Sequence, residues 1–196
     1  MESTGNILFS GVGGQGILLA SEITAYSLLQ AGYDAKKSEV HGMAQRGGSV
    51  TAQLRYGKKV WSPLIEPGCA DIQVAFEMME AVRYITSLHK GSTVIVNTQR
   101  ILPPAVATGQ TAYPERILDQ LTALGVRVVQ VDAFDLACEV GEGRTANVVM
   151  VGALSVFLPV AASIYEEVIA TRVPQRFREV NLKAFQAGRK AGTKEV

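Results

Sequence analysis

Asn6-Ile7-Leu8-Phe9-Ser10-Gly11-Val12-Gly13-Gly14-Gln15-Gly16 opens the readable part of this chain, and a helical stretch over 17–31 follows it. The first five residues form a short apolar run without alternation, the pattern of a strand buried on both faces. The run ends in glycines, and Gly32 stands where a left-handed cap closes the helix. Strand, glycine turn and helix in that order are the opening of a nucleotide-type α/β fold. Leu19, Ile23 and Tyr26 fall on one face of the predicted helix at i, i+4 and i+7.

Further strands are predicted weakly over 35–40 and more clearly over 49–56, where Gly57-Lys58 reads as a hairpin tip before Val60-Trp61. Residues 72–76 read as another buried strand, followed by a helix over 77–89 that places His89 at an exposed end, with Gly91 behind it. Two β-branched runs at 93–96 and 126–131 are strands. Between them 99–113, with Pro103-Pro104, reads as a loop, and Pro114 suits the first residue of a helix. From Ala133 onward the pattern is helical, interrupted at Pro159 and Pro174, and the segment 190–196 is expected to fray. The expected fold is a single α/β domain over 1–196: a three-layer α/β/α sandwich with a Rossmann-like, mostly parallel sheet and a helical C-terminal part.

Composition narrows the function classes. Of the 196 residues, 47% are hydrophobic and 19% charged, which supports a sizeable core and excludes a disordered chain. Lys and Arg total 19 against 18 Asp and Glu, a net charge of +1, and no basic stripe stands out, so nucleic acid is not an expected partner. The near-zero charge makes association with another protein easy, including with a second copy. Cys69 and Cys138 are far apart and without CxxC spacing, so neither a structural zinc site nor an iron–sulfur cluster is expected in this chain. They read as small buried residues in a reducing cytoplasm. Residues 1–6 lack the basic start of a signal peptide. The uncharged run 148–162 falls short of the ~18–20 residues that span a bilayer and reads as a buried helix.

Two constellations carry chemistry. Gly11-Val12-Gly13-Gly14-Gln15-Gly16 satisfies G-x-G-x-x-G, in which glycines permit close approach and a helix N-terminus offers free N–H groups to an anion. Three readings stay open at this point: a dinucleotide site, a site for another anionic group, and a structural turn. Glu39 stands near the distance expected of a ribose ligand, but its strand Lys36-Lys37-Ser38-Glu39-Val40 is polar for that role. The second constellation is His41-Gly42-Met43-Ala44-Gln45-Arg46-Gly47-Gly48-Ser49, which concentrates an imidazole, an amide, a guanidinium and close-approach glycines. Its plainer reading is a tight connection in which Arg46 pairs with Glu39. No metal spacing surrounds His41. Asp71 and Glu77 bracket a strand and read as structural. Asn97-Thr98 lies at a strand's C-terminal edge, and Asn147 suits a helix cap as well as a ligand role.

Taken together, these stretches, with Ser62-Pro63-Leu64-Ile65, Gly68-Cys69-Ala70-Asp71, Glu77 and Glu80-Ala81, closely resemble the gamma subunit or domain of the 2-oxoacid:ferredoxin oxidoreductases. The likeness is strong over 7–81 and looser around 147–158. In length the chain is similar to the stand-alone small subunit of the indolepyruvate-type members. The resemblance implies a complex that decarboxylates an indolepyruvate- or arylpyruvate-type 2-oxoacid oxidatively to an acyl-CoA and passes electrons to ferredoxin. It implies that thiamine diphosphate, Mg²⁺ and [4Fe-4S] clusters sit on a large partner subunit, and that this chain is inactive alone. Gly11, Gly13, Gly14, Gln15, Gly16, His41, Gln45, Arg46, Gly47 and Gly48 match the motifs and are implied to face the partner's active site, with a contact to coenzyme A among their expected roles. No residue is assigned as a proton donor. The alternative from another class is a free-standing dinucleotide-binding protein or NAD(P)-dependent dehydrogenase.

Overall fold

Leu8, Ile7 and Phe9 are buried with almost no exposed surface, as expected of a strand with neighbours on both sides and layers above and below. The computed structural model describes residues 4–41, of His41 the backbone only, and 47–194. In chain order the elements are β1 (Gly5–Val12), α1 (Ile17–Gln30), β2 (Asp34–His41), β3 (Ser49–Gly57), β4 (Ala70–Ala75), α2 (Met78–Arg83), β5 (Leu88–Asn97), α3 (Pro104–Ala107), α4 (Ile117–Ala123), β6 (Arg127–Val131), α5 (Ala133–Glu139), α6 (Ala146–Ser155), α7 (Ala162–Arg172) and α8 (Arg178–Thr193).

The six strands form one sheet in the order β2-β3-β1-β4-β5-β6. The β1–β4, β4–β5 and β5–β6 pairs are parallel, and β3 runs antiparallel to both β1 and β2. Only β3 therefore opposes the common direction. One face of the sheet, through Ile7, Phe9, Leu54, Val74, Ile95 and Val129, packs in a single core with α1, α5, α6, α7 and α8. The other face packs Ala75, Val94 and Val96 against α2 and α4. Over β3 that second layer thins to coil: Arg55 donates from Nη1 to the carbonyls of Ser62 (3.1 Å) and Leu64 (3.3 Å), and Gln53 Oε1 accepts from the Ile65 N–H (2.6 Å).

The C-terminal helices pack at backbone distance. A Cβ on Gly188 would sit 1.9 Å from the Val149 carbonyl oxygen, and one on Gly152 would sit 2.2 Å from the Phe185 carbonyl oxygen. Only glycine permits α6 and α8 to approach this closely, and α6 is thereby pressed into the centre of the core with every residue from Asn147 to Ser155 buried.

Several local expectations are corrected. Gly57-Lys58 is no hairpin tip, because β3 takes β1 and β2 as partners; Val60 is buried in coil, its N–H held by Asp34 Oδ2 at 2.9 Å. The helix predicted over 77–89 stops at Arg83, a 3₁₀ turn covers Ile85–Ser87, and β5 has begun by Leu88. His89 thus lies in a strand, with Nε2 3.5 Å from Asp71 Oδ1. The predicted loop holds the short α3, and α4 begins three residues after Pro114 behind a left-handed Arg116. Residues 190–193 continue α8 rather than fray. Both cysteines are free and exposed rather than buried. On α1 the buried stripe runs through Ala20, Ile23, Thr24 and Ser27, not through Tyr26. Thr24 and Ser27 are accepted into the core because each hydroxyl donates to a carbonyl one turn back, at 2.9 Å. Among the described residues no helix is long and apolar enough to cross a membrane.

Substituting Gly188→Ala should force α6 and α8 apart, since the obstructing atom is backbone and cannot rotate away. Overpacking of this kind costs about 1–3 kcal/mol, or roughly 2–12 °C in a domain of this size. Gly57→Ala, where a Cβ would meet Thr4 at an ordinary 3.5 Å, should leave the thermal midpoint nearly unchanged, and thermal unfolding of the two variants side by side checks the contrast.

Candidate functional site

β1 and β4 are adjacent and parallel, yet α1 packs on one face of the sheet and α2 on the other. Beyond their C-terminal ends the chain diverges, and open α/β sheets bind ligands in the crevice so formed. A cleft of about 690 Å³ lies there, within the usual range for a small-molecule site. Its floor is the glycine loop with the ends of β4 and β5. One wall is α5, through Phe134 and Cys138 one helical turn apart, and another is the Glu142–Asn147 segment that leads into α6.

Of the residues singled out from the sequence, Gly13, Gly14, Gln15, Gly16, Gly47, Asn97 and Asn147 line this cleft. Gly48 supports it from behind, its carbonyl accepting from the Gly13 N–H at 2.8 Å, while the Gly47 N–H approaches the Gly13 carbonyl at 3.4 Å. The two sequence constellations therefore meet in space. Gly11 lies beneath the loop, where a Cβ would come within 2.8 Å of the Phe76 Cβ. Gln45, Arg46 and the imidazole of His41 lie outside the described residues, so the expected Arg46–Glu39 pairing does too; the Glu39 carboxylate is paired with Lys37.

Gln15 has a different part from the one its motif suggests. Its Oε1 accepts from the Val12 N–H (2.8 Å), and its Nε2 donates to the Phe76 carbonyl (2.7 Å) and to Gln99 Oε1 (3.2 Å). Both ends of the amide are committed within the protein, and it braces the loop rather than offering itself to a ligand. Asn97, also buried, extends the brace: Nδ2 donates to the Phe76 carbonyl (3.0 Å), and Oδ1 accepts from the Ala133 N–H (3.2 Å) at the start of α5. Gly16 adopts φ 76°, and a Cβ there would lie 2.5 Å from Asn147 Nδ2. Asn147 is inside α6 rather than its cap. It bridges to the loop instead, with Nδ2 3.4 Å from the Gly16 carbonyl.

What remains for a ligand is backbone and one guanidinium. The N–H groups of Gly14 and Gly16 find no acceptor among the described residues, and the N-termini of α1 and α6 both open on the cleft. Helix N-termini favour negative charge. Arg144, 81% exposed, stands on the rim, with Nε and Nη2 bound to the Glu142 carboxylate at 3.1 and 3.0 Å. These bonds hold the Glu142 carboxyl below its usual range. Arg144, Gln99, Phe134 and Cys138 had no signal in the sequence, because they come from segments remote from either motif. Glu77 is structural, as expected: fully buried, it caps α2 through the N–H groups of Met79 (2.7 Å) and Glu80 (3.1 Å) and accepts from the Ile101 N–H and the Tyr113 hydroxyl. Burial, and then the bond to Glu77, push the Tyr113 hydroxyl well above the ordinary tyrosine range. Asp71 is structural as well, accepting the Asn6 N–H at 2.7 Å.

The dinucleotide reading of the glycine loop loses its second half. A ribose ligand needs the second strand beside the first, but β3 is inserted between β1 and β2, and β2 is the sheet edge. Glu39 is thereby displaced two strand spacings, about 10 Å, from β1. Among the described residues no three His, Cys, Asp or Glu side chains converge as a metal site would require.

A family model described as pyruvate ferredoxin/flavodoxin oxidoreductase matches residues 6–191. Over 193 residues the chain is 42% identical to indolepyruvate oxidoreductase subunit IorB of Thermococcus kodakarensis, covering 95% of each chain. The gamma subunit of a keto/oxoacid ferredoxin oxidoreductase from Geobacter sulfurreducens superposes with a TM-score of 0.73 at 25% identity, over 97% of this chain and 99% of that one. A 2-oxoglutarate:ferredoxin oxidoreductase from Magnetococcus marinus, solved with 2-oxoglutarate, coenzyme A and succinyl-CoA bound, gives a TM-score of 0.78 over 100% of this chain and 32% of that one; at 19% identity the likeness is one of fold.

Gly16→Ala should destabilise the protein by at least about 1–2 kcal/mol, the strain of a left-handed alanine, with the Asn147 clash added. Combining it with Asn147→Ala should recover the clash portion, so the two effects are non-additive in urea unfolding. Tyr113 gives a pH test. The unfolded phenol ionises near pH 10.0 while the folded one keeps its proton, so the unfolded state binds fewer protons above that pH and stability falls. Tyr113→Phe should flatten part of this alkaline loss, with Tyr165 and Tyr56, both pushed up by burial, keeping the remainder, and stability measured from pH 8 to 11 checks it.

Proposed function

The chain belongs to the pyruvate ferredoxin/flavodoxin oxidoreductase family, and from that premise we propose that it is the small subunit of an indolepyruvate-type 2-oxoacid:ferredoxin oxidoreductase. The observation that carries this reading is the 42% identity to subunit IorB across 95% of both chains. Its task is to complete an active site whose redox chemistry belongs to a larger partner. An iron–sulfur cluster takes four cysteine ligands, and this chain has two, both free, Cys69 in coil before β4 and Cys138 on α5. Two cysteines do not make a cluster's ligand set, and among the described residues no three His, Cys, Asp or Glu side chains converge to hold an ion, so the proposal gives the clusters, Mg²⁺ and thiamine diphosphate to the large subunit, which also passes electrons to ferredoxin.

Coenzyme A is different, because the donor set of the cleft fits an anionic ligand. The Gly14 and Gly16 N–H groups and Arg144 would hold it at the mouth of the cleft, and when bound it supplies the thiol that accepts the acyl group. The braces from Gln15, Asn97 and Asn147 keep the donors fixed in advance, so ordering them is not charged against binding. Gly47 lines the cleft and follows Arg46 directly in the sequence, which makes Arg46 a further candidate for the assembled site. The apolar side chains of Trp61 (85% exposed), Leu64 and Val40 are surface for a partner subunit, and without one they favour self-association. The reading places the complex in the cytoplasm. The dehydrogenase alternative keeps the glycine loop alone, without the second strand and acidic residue a ribose needs.

Reconstitution tests the proposal. The chain alone should reduce neither ferredoxin nor a viologen dye with indolepyruvate, and adding the large thiamine diphosphate and iron–sulfur subunit should restore turnover; turnover by this chain alone overturns it. In the same assay Arg46→Ala should lower turnover by about 10- to 100-fold, the worth of a hydrogen bond to a charged group, while shifting the unfolding free energy by no more than about 0.5 kcal/mol. Arg46→Lys should rescue poorly, because a point charge does not reproduce the planar fork. By light scattering the isolated chain should be a dimer or larger.

A further inference from the structure

Glu80, on α2, is only 1% exposed, and each of its polar groups is engaged. Its N–H donates to Glu77 Oε2 at 3.1 Å, and its carbonyl accepts from Gln73 Nε2 (3.1 Å) and Ser10 Oγ (3.3 Å). Gln73 lies on β4 and Ser10 on β1, both fully buried, and Gln73 Nε2 also donates to Ser10 Oγ at 2.9 Å. The backbone of Glu80 is thus pinned to the two strands whose ends open on the cleft.

The carboxylate reaches a third strand. Oε1 accepts from Arg83 Nε at 2.7 Å, and Oε2 accepts from Ser49 Oγ at 2.5 Å. A carboxylate only accepts, so Ser49 gives its one proton to Glu80, and the Tyr84 hydroxyl is the donor in its 2.9 Å contact with Ser49 Oγ. Ser49 opens β3 opposite Val12, and the residue before it, Gly48, accepts the Gly13 N–H through its carbonyl. Gly47 and Gly48 carry no side chain by which to be held, so the grip on this end of β3 falls on Ser49.

Packing alone does not ask for a buried carboxylate here. Well-packed apolar side chains in place of a buried ion pair are often neutral or stabilising. What the carboxylate adds is direction, because hydrogen bonds fix the start of β3 in a way that apolar contact does not. We propose that Glu80 is a positioning residue for the cleft. Acting through Ser49, with Tyr84 as second donor, it sets Gly48 against Gly13 and so holds the Gly14 and Gly16 N–H groups where an anion meets them. The consequence for turnover rests on the reading of the cleft as the coenzyme A site; the positioning of the loop does not.

Two readouts keep these parts distinct. In the full chain without its partner, hydrogen exchange at the Gly13 amide reports its bond to Gly48, while the Ile7–Phe9 amides in the middle of β1 report wider opening. Ser49→Ala should speed exchange at Gly13 tenfold or more beyond any change at Ile7–Phe9. Glu80→Leu, apolar and of similar size, should do the same, and Ser49→Thr, which keeps the hydroxyl, should restore the slow rate. Tyr84→Phe removes one donor with its ring retained, should act in the same direction, and carries the test where the other variants fail to fold. In the complex reconstituted with the large subunit, Ser49→Ala and Glu80→Leu should raise KM for coenzyme A about tenfold with kcat within twofold, because misplaced donors weaken binding while the redox chemistry belongs to the partner. Equal acceleration at Gly13 and Ile7–Phe9, a Gly13 rate unchanged in Ser49→Ala or Glu80→Leu, or no rescue by Ser49→Thr overturns the positioning role. Faster exchange at Gly13 alone with KM unchanged upholds that role and overturns the coenzyme A reading instead.

Discussion

The contact between α6 and α8 sets the rest of this structure. With Gly188 and Gly152 against carbonyl oxygens of the facing helix, the two backbones touch, and neither helix can rotate without a clash. That contact fixes the height and direction of α6. The helix N-terminus then reaches the glycine loop, where Asn147 covers Gly16, and the preceding turn delivers Arg144 to the rim. A site built from separate segments needs such a fixed frame, because displacement of one wall by an ångström is enough to misplace its donors.

The floor of the cleft obeys a second constraint, the satisfaction of buried polar groups. The Phe76 carbonyl at the end of β4 accepts from both Gln15 and Asn97, and Gln99 closes the set. Three amides thereby hold the ends of β1, β4 and β5 and the start of α5 in register. Leaving one such group unmatched in the interior costs about 1–3 kcal/mol, so the network is strongly selected in this one arrangement. Its consequence for function is that side chains secure the loop, while backbone N–H groups and Arg144 face outward. An anion is then met by a surface already in its binding geometry.

What the sequence by itself determined is the local grammar: strand, glycine loop and helix at 6–31, a parallel β/α succession, buried C-terminal helices broken at Pro159 and Pro174, and a family resemblance carried by two short motifs. Each depends on near neighbours, namely apolar periodicity, a glycine where φ is positive or a proline without an N–H, and so is legible in order along the chain. Tertiary structure alone decided that β3 inserts between β1 and β2, which removes the ribose partner Glu39 from the loop, and that Gln15 turns inward as a brace. It also decided that Phe134, Cys138, Arg144 and Asn147 wall the cleft. The physical reason is common to all of these. Closure of the cleft depends on contacts between residues 61 to 131 positions apart, and the insertion of β3 on β1–β3 pairs such as Ile7 with Leu54; their energies are set by shape and hydrogen-bond geometry in the packed state, and no local period in the sequence records them.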